Sequence, residues 1–198
     1  MADALDLARA MRGHVWPNPP VGCVIATGDR LIATGATQPG GRPHAERLAL
    51  ERAGNAARGA SLYVTLEPCC HHGQTPPCAD AIIAAGVARV VASLRDPDPR
   101  VNGGGFARLR QAGIAVDIGP GADEAAAIMS GFLHRIRSGQ PQRMLLDRPT
   151  DAIPDGADGL LTPRGLVLRG RPLLALDPHR PVWPQLGQLG LTLVAVSP

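Results

Sequence analysis

One imidazole and two thiols, on His44, Cys69 and Cys78, must meet in space if they are to act together, and that requirement restricts the fold more than any other feature of the chain. His44 stands in His44-Ala45-Glu46. The thiols stand in Leu66-Glu67-Pro68-Cys69-Cys70-His71-His72-Gly73-Gln74-Thr75-Pro76-Pro77-Cys78. One nitrogen and two sulfurs suit zinc, whereas magnesium and calcium prefer oxygen. Three protein ligands leave the fourth tetrahedral position to water, the layout of a catalytic zinc, so one ion per chain is expected. Glu46 is too near His44 in sequence to serve as a convenient fourth ligand. It is well placed to hold and move the protons of that water.

The local pattern brings these residues to the ends of regular elements. Residues 3–12 have helical spacing, with Asp3 as N-cap and Gly13 as stop, and Pro17-Asn18-Pro19-Pro20 breaks the chain into an extended loop. Residues 21–26 and 30–37 read as strands joined by Thr27-Gly28-Asp29, a hairpin signal. Residues 44–53 are helical, 61–66 form a strand that delivers Cys69 at its end, and Pro77 opens a helix over 77–85. His44, Glu46 and Cys78 thus fall in first helical turns, whose partial positive charge favours thiolate over thiol. A strand at 88–93, a helix at 105–112, a strand at 114–118 and one long helix at 122–137 follow. Alternating strands and helices predict an α/β protein: a three-layer α/β/α sandwich around a mixed sheet of about five strands, beginning with an antiparallel pair.

After about residue 137 the texture becomes rich in Pro, Gly and Leu, with short apolar runs at 166–168, 173–176 and 191–196. The boundary is set at residues 1–140 and 141–198, the latter expected to be too short to bury a core of its own and bind a dinucleotide. No glycine-rich loop stands between a strand and a helix there, so no NADPH site is expected. No apolar run is long enough to span a membrane, and the first residues do not form a secretory signal, which predicts a cytoplasmic protein. All 20 basic residues are arginines, but the net charge is only +3 and aromatics are 3% of the chain. Scattered arginines without stacking rings argue against nucleic acid as a partner. The four cysteines do not read as a disulfide framework. Cys23 reads as a small buried hydrophobe, and Cys70 as an ambiguous neighbour of a ligand.

H-x-E followed by P-C…C is the pattern of zinc nucleobase deaminases, although there two residues separate the cysteines and here eight do. The longer gap, filled by HHGQTPP, resembles the deaminase domain of the bifunctional riboflavin-biosynthesis deaminase/reductase. Residues 17–24 (PNPPVGCV), 40–46 (GGRPHAE), 63–69 (YVTLEPC) and 96–101 (DPDPRV) resemble the same family in order and spacing. The resemblance covers roughly residues 1–140 and implies the cytidine-deaminase-like fold. It implies hydrolytic deamination of 2,5-diamino-6-(5-phosphoribosylamino)pyrimidin-4-one, a phosphorylated aminopyrimidine, with Glu46 as proton carrier and His44, Cys69 and Cys78 on zinc. It further implies that Asn18 reads the substrate, that His71 lies near it, and that Asp96 meets its sugar hydroxyls.

The sequence also departs from the family. Gln74 stands where members often carry Lys or Arg facing the substrate's anionic side, Thr37 where many have His, and Asp98 where Asn is frequent. A neutral amide donates a hydrogen bond but no charge, which weakens phosphate attraction. His72 reads as an exposed loop residue, and His14, His134 and His179 fit no ligand spacing. Residues 151–153, 160–164 and 171–177 look like shrunken echoes of the reductase domain's opening strands, so 141–198 reads as its remnant without reductase activity. Two other functions stay open: a deaminase of the same superfamily acting on free bases, nucleotides or tRNA, and a zinc-bound pseudoenzyme with a scaffolding role. A homo-oligomer is compatible with either.

Overall fold

The computed structural model describes residues 1–73 and 75–198. Helix α1 (Ala2–Ala10) leads through the proline loop into strand β1 (Gly22–Thr27) and its hairpin partner β2 (Arg30–Ala36). Helix α2 (Ala45–Ala53), strand β3 (Ser61–Leu66), helix α3 (Cys78–Ala85), strand β4 (Arg89–Leu94), helix α4 (Gly104–Gln111) and strand β5 (Ala115–Ile118) then alternate. The five strands form one sheet in the order β2-β1-β3-β4-β5. β1 pairs antiparallel with β2 and β3, while β3, β4 and β5 run parallel. The mixed five-stranded sheet expected from the sequence is therefore present.

Two glycines show how the helices cover both faces of it. Residues directly opposite in an antiparallel pair share a face, and successive residues alternate. Gly35 is paired with Cys23, so it lies on the face opposite to Gly22. A Cβ at Gly22 would collide with the Ala4 carbonyl of α1, and one at Gly35 with the Ala45 carbonyl of α2. Helices α1 and α2 therefore sandwich the sheet, close enough that only hydrogen fits at each crossing. The core between the layers is Ala, Val, Leu and Ile with Phe106 and Phe132, and Cys23 is a fully buried apolar filler.

The long helix expected over 122–137 is two: α5 (Ala122–Ile128) and α6 (Ser130–Ser138), broken at Met129, whose φ of −98° and ψ of 13° leave the helical region. No proline marks the break, so local sequence does not announce it. Met129 is buried in the core, and the redirected α6 brings Gly131 against the Thr192 backbone.

Thr192 immediately precedes a strand of a second sheet, and residues 141–198, expected to be too short to bury a core of their own, do bury a small one. Strands β6 (Gln142–Leu145), β7 (Gly159–Thr162) and β8 (Gly165–Leu168), helix α7 (Val182–Gln188) and strand β9 (Leu193–Val196) give a four-stranded sheet in the order β6-β9-β7-β8. Leu166, Leu168, Leu186, Leu191 and Val194 are buried together, with Trp16 of the first lobe packed against them. Four-residue strands are too short to carry a readable period, so β6 has no signal in the sequence, whereas β7, β8 and β9 fall on the runs 160–164, 166–168 and 191–196. Of the run 173–176, only Leu174 makes a bridge, to Leu166. The buried Asp158 carboxylate receives the Thr192 amide and hydroxyl and the Leu193 amide, which ties β7 to the start of β9. No helix among the described residues is long and apolar enough to cross a membrane.

Candidate active site

The parallel strands β3 and β4 end on the same edge of the sheet, and their C-terminal loops carry the chemistry, as in other open α/β sheets. Cys69 follows β3, Cys78 is the first residue of α3, and His44 is the N-cap of α2 with extended backbone. Their ligand atoms all lie within 4.8 Å of one another. His44 Nδ1 is 3.4 Å from the Cys78 sulfur and 3.8 Å from that of Cys69. The Cys78 amide donates to the Cys69 sulfur at 3.3 Å, and the Ala79 amide to the Cys69 carbonyl at 3.1 Å, so the start of α3 is fastened to the end of β3.

The thiols are strongly coupled. A hydrogen bond from the Cys78 thiol holds Cys69 as thiolate, bringing its pKa down to about 4, with His44 and the Cys78 amide helping and burial opposing. The same bond and burial push Cys78 well up. The thiolate also raises His44. A thiolate, a second thiol and an imidazole aimed at one point form a donor set that fits zinc and leaves a coordination position open. Cys70 is not part of it: its sulfur faces the Arg100 and Val101 carbonyls, which removes the ambiguity between neighbouring cysteines.

Glu46 is buried in the first turn of α2. Burial pushes its carboxyl up to about 7, with His44 opposing. A carboxyl that titrates near neutrality beside a metal centre can both take and give protons.

His44, Glu46 and Cys69 line a cavity of about 400 Å³. Asn18, Thr37, Arg42, His71, Asp96, Asp98, Arg100 and Arg135 line the rest. The Asn18 amide donates to the Gly41 carbonyl at 3.1 Å, which holds the proline loop against the one before α2. His71 presents a buried Nδ1 that has no partner among the described residues. Asp96 and Asp98 differ. Burial raises Asp96 to about 6, whereas a bidentate pair with Arg100 holds Asp98 below the usual carboxylate range. Thr37 is buried and accepts the Val21 amide, so its hydroxyl braces β1. His72 is exposed, as expected, and Gln74 lies outside the described residues.

Sequence reasoning gave no role to Glu67, Arg42, Arg100 or Arg135. The Glu67 carboxylate accepts four backbone amides, from Asp96, Gly103, Gly105 and Phe106, at 2.9–3.2 Å. It clamps the 96–103 loop and the start of α4 to the end of β3. Its signal was a carboxylate directly after an apolar strand, where burial demands partners. Arg42 and Arg135 reach the cavity with no carboxylate partner among the described residues, and a scatter of arginines along the chain does not single them out.

Known proteins resemble the chain in the same terms. Residues 1–94 match the family described as cytidine and deoxycytidylate deaminase zinc-binding region. The riboflavin biosynthesis protein RibD of Escherichia coli is 56% identical over 141 residues, which are 71% of this chain and 38% of that protein. The chain thus spans well under half the length of that relative. The diaminohydroxyphosphoribosylamino-pyrimidine deaminase of Buchnera aphidicola is 43% identical over 141 residues, 96% of its length. The solved structure of Acinetobacter baumannii RibD superposes with a TM-score of 0.80 at 30% identity, over 99% of this chain and 78% of that one. With its three-ligand centre, buried glutamate and sheet in place, the chain belongs to the family of zinc-dependent diaminohydroxyphosphoribosylaminopyrimidine deaminases.

Proposed function

We propose that residues 1–140 catalyse hydrolytic removal of the 2-amino group from 2,5-diamino-6-(5-phosphoribosylamino)pyrimidin-4-one, a step of riboflavin biosynthesis. The observation that carries this reading is that one cavity is lined both by Glu46, His44 and Cys69 and by His71, Asp96 and Asp98. Zinc held by His44, Cys69 and Cys78 would supply a Lewis acid that lowers the pKa of water from 15.7 towards about 7. Glu46 takes the proton of the attacking water as the carbon–oxygen bond forms at C2. It delivers that proton to the ring nitrogen. It then carries the remaining water proton from the new C2 hydroxyl to the departing amine as the carbon–nitrogen bond breaks and the C2 carbonyl forms, so that ammonia and the pyrimidinedione leave and Glu46 is regenerated as the carboxylate.

The remaining contacts orient the substrate. The Asn18 amide, fixed by Gly41, reads the ring, and the buried Nδ1 of His71 offers a hydrogen bond to it. Asp96 accepts from the sugar hydroxyls. Asp98, neutralised by Arg100, holds the loop and adds little net charge. Arg42 and Arg135 supply the positive charge that the Gln74 position lacks and attract the phosphate. No reduction is assigned to residues 141–198.

Ammonia release by the zinc-loaded chain tests the function, with cytidine, deoxycytidylate, guanine and adenine as competitors. The precursor should be turned over at least about tenfold faster than any of these, a gap of about 1.4 kcal/mol in barrier. Release from deoxycytidylate but not from the precursor would place the chain among the nucleotide deaminases. Zinc binding without any turnover would favour the pseudoenzyme.

A further inference from the structure

The loop that carries Asn18 is held between the two sheets. Pro17, Pro19 and Pro20 have no N–H to give, so backbone hydrogen bonds can do little to fix it, and the backbone N–H of Asn18 is left to bond the Val15 carbonyl at 3.1 Å. Side-chain packing takes over. Trp16 lies on the buried cluster of the second sheet, and the Arg171 guanidinium sits over its ring, 5.0 Å from the centroid. Gly190, just before the buried Leu191, packs so tightly on Pro17 that a Cβ there would come within 2.6 Å of the proline's own Cβ. From the first lobe, Arg135 of α6 donates to the Pro17 carbonyl at 3.0 Å. The lobes are joined elsewhere as well, where Gly13 meets Ala157 and Gly131 meets Thr192, so attachment alone does not require Trp16.

We propose that the second sheet is a positioning element of the deaminase site: by gripping Trp16 and Pro17 it fixes where the Asn18 amide stands in the cavity. Trp16 and Arg171 are then positioning residues for a side chain two and more positions away, and residues 141–198 contribute to a reaction whose chemistry lies wholly in residues 1–140. This rests on the reading of Asn18 as a substrate contact. A loop released on one side samples many conformations, and a misplacement of about 1 Å at a reacting centre can cost about 100-fold.

The test uses the full 198-residue chain, zinc-loaded, as wild type and as Trp16→Ala, Trp16→Phe and Arg171→Ala. Hydrogen exchange over residues 14–22 is followed together with zinc content and the kinetics of ammonia release from the precursor. Trp16→Ala is expected to keep its zinc, to speed exchange at the Asn18 amide, and to raise KM about 10- to 100-fold with kcat within about threefold. Trp16→Phe should recover most of that loss, since a ring can still fill the contact, and Arg171→Ala should fall between. Unchanged exchange and KM in Trp16→Ala, or Phe serving no better than Ala, would overturn the proposal. Should Trp16→Ala not fold, Arg171→Ala decides, and wild-type behaviour in that variant counts against positioning. A wild type that releases no ammonia would refute the substrate reading instead, and exchange at Asn18 would still settle whether the second sheet holds the loop.

Discussion

The backbone amide of Cys78 donates to the sulfur of Cys69 across 3.3 Å, so the ligand that begins α3 also stabilises the charge on the ligand that ends β3. This contact explains how two thiols nine residues apart come together. The helix start supplies partial positive charge, and the strand end supplies a fixed sulfur to receive it.

Loss of either sulfur should therefore empty the site. Cys78→Ser keeps the helix start and the packing but replaces a soft ligand with a poor one. Metal analysis of the purified variant should show zinc falling from about one per chain to a small fraction of that. The Cys70→Ser variant should keep its zinc, because that sulfur faces the Arg100 and Val101 carbonyls. Full occupancy in Cys78→Ser would refute the ligand assignment.

Glu67→Gln should damage the substrate wall without touching the metal. Both carboxylate oxygens accept two amides each, and the glutamine nitrogen cannot accept either of its pair. Leaving two buried donors unmet costs about 2–4 kcal/mol. A lower melting temperature, unchanged zinc and a raised KM are expected. A variant as stable as wild type would mean that the clamp is dispensable.

How much of this was legible in advance varies with how far each feature depends on partners remote in sequence. The meeting of His44, Cys69 and Cys78 could be read because a metal site would dictate residue types as well as spacing. The sandwich could be read because its strands and helices are long enough to show period and punctuation. Glu67 could not, since its four amide partners come from a loop and a helix about 30–40 residues later. The break at Met129 was hidden for the same reason, since α6 meets Thr192 from far along the chain, whereas β6 was hidden because four residues carry no readable period. Trp16 had no reading at all, since its neighbours come from the second sheet.

Asp96→Asn should trade function for stability. Burial lifts the Asp96 carboxyl to about 6 in the folded chain, against about 3.9 unfolded. The folded state therefore binds the proton more tightly, so ionisation costs stability: nothing below pH 4, increasing between pH 4 and 6, and in full above 6. Two pKa steps correspond to at most about 3 kcal/mol. The asparagine variant should melt higher than wild type at pH 7.5, and the gap should close by pH 4. Its KM should rise, because the charge that costs stability is the one assigned to the sugar hydroxyls. A gap that persists unchanged at pH 4 would mean that it does not come from the ionisation of Asp96.

Glu46→Gln should leave the fold and the zinc intact and abolish turnover. Glutamine is nearly the same size, so the buried first turn of α2 should repack with little change. The amide cannot take a proton from water, return one to the ring or protonate the leaving amine. A single general acid–base group contributes about 10²–10⁴-fold, or roughly 3–5 kcal/mol of barrier. Glu46 acts three times in the proposed cycle, so the loss should reach or pass the top of that range. The competing account makes Glu46 a carboxylate that favours the helix N-terminus, worth about 0.3–1 kcal/mol. That account is weakened by burial, which has pushed the group up to about 7 and makes its charge a burden on the fold. The two accounts therefore differ in sign as well as size. A helix-dipole role predicts a variant that is slightly less stable and catalytically normal, and a proton carrier predicts one that is as stable or more so and inactive. Zinc content, melting temperature and ammonia release measured on the same sample separate them. A variant that binds zinc and keeps more than about a tenth of the wild-type rate would fall well short of the usual general acid–base loss and remove Glu46 from the mechanism.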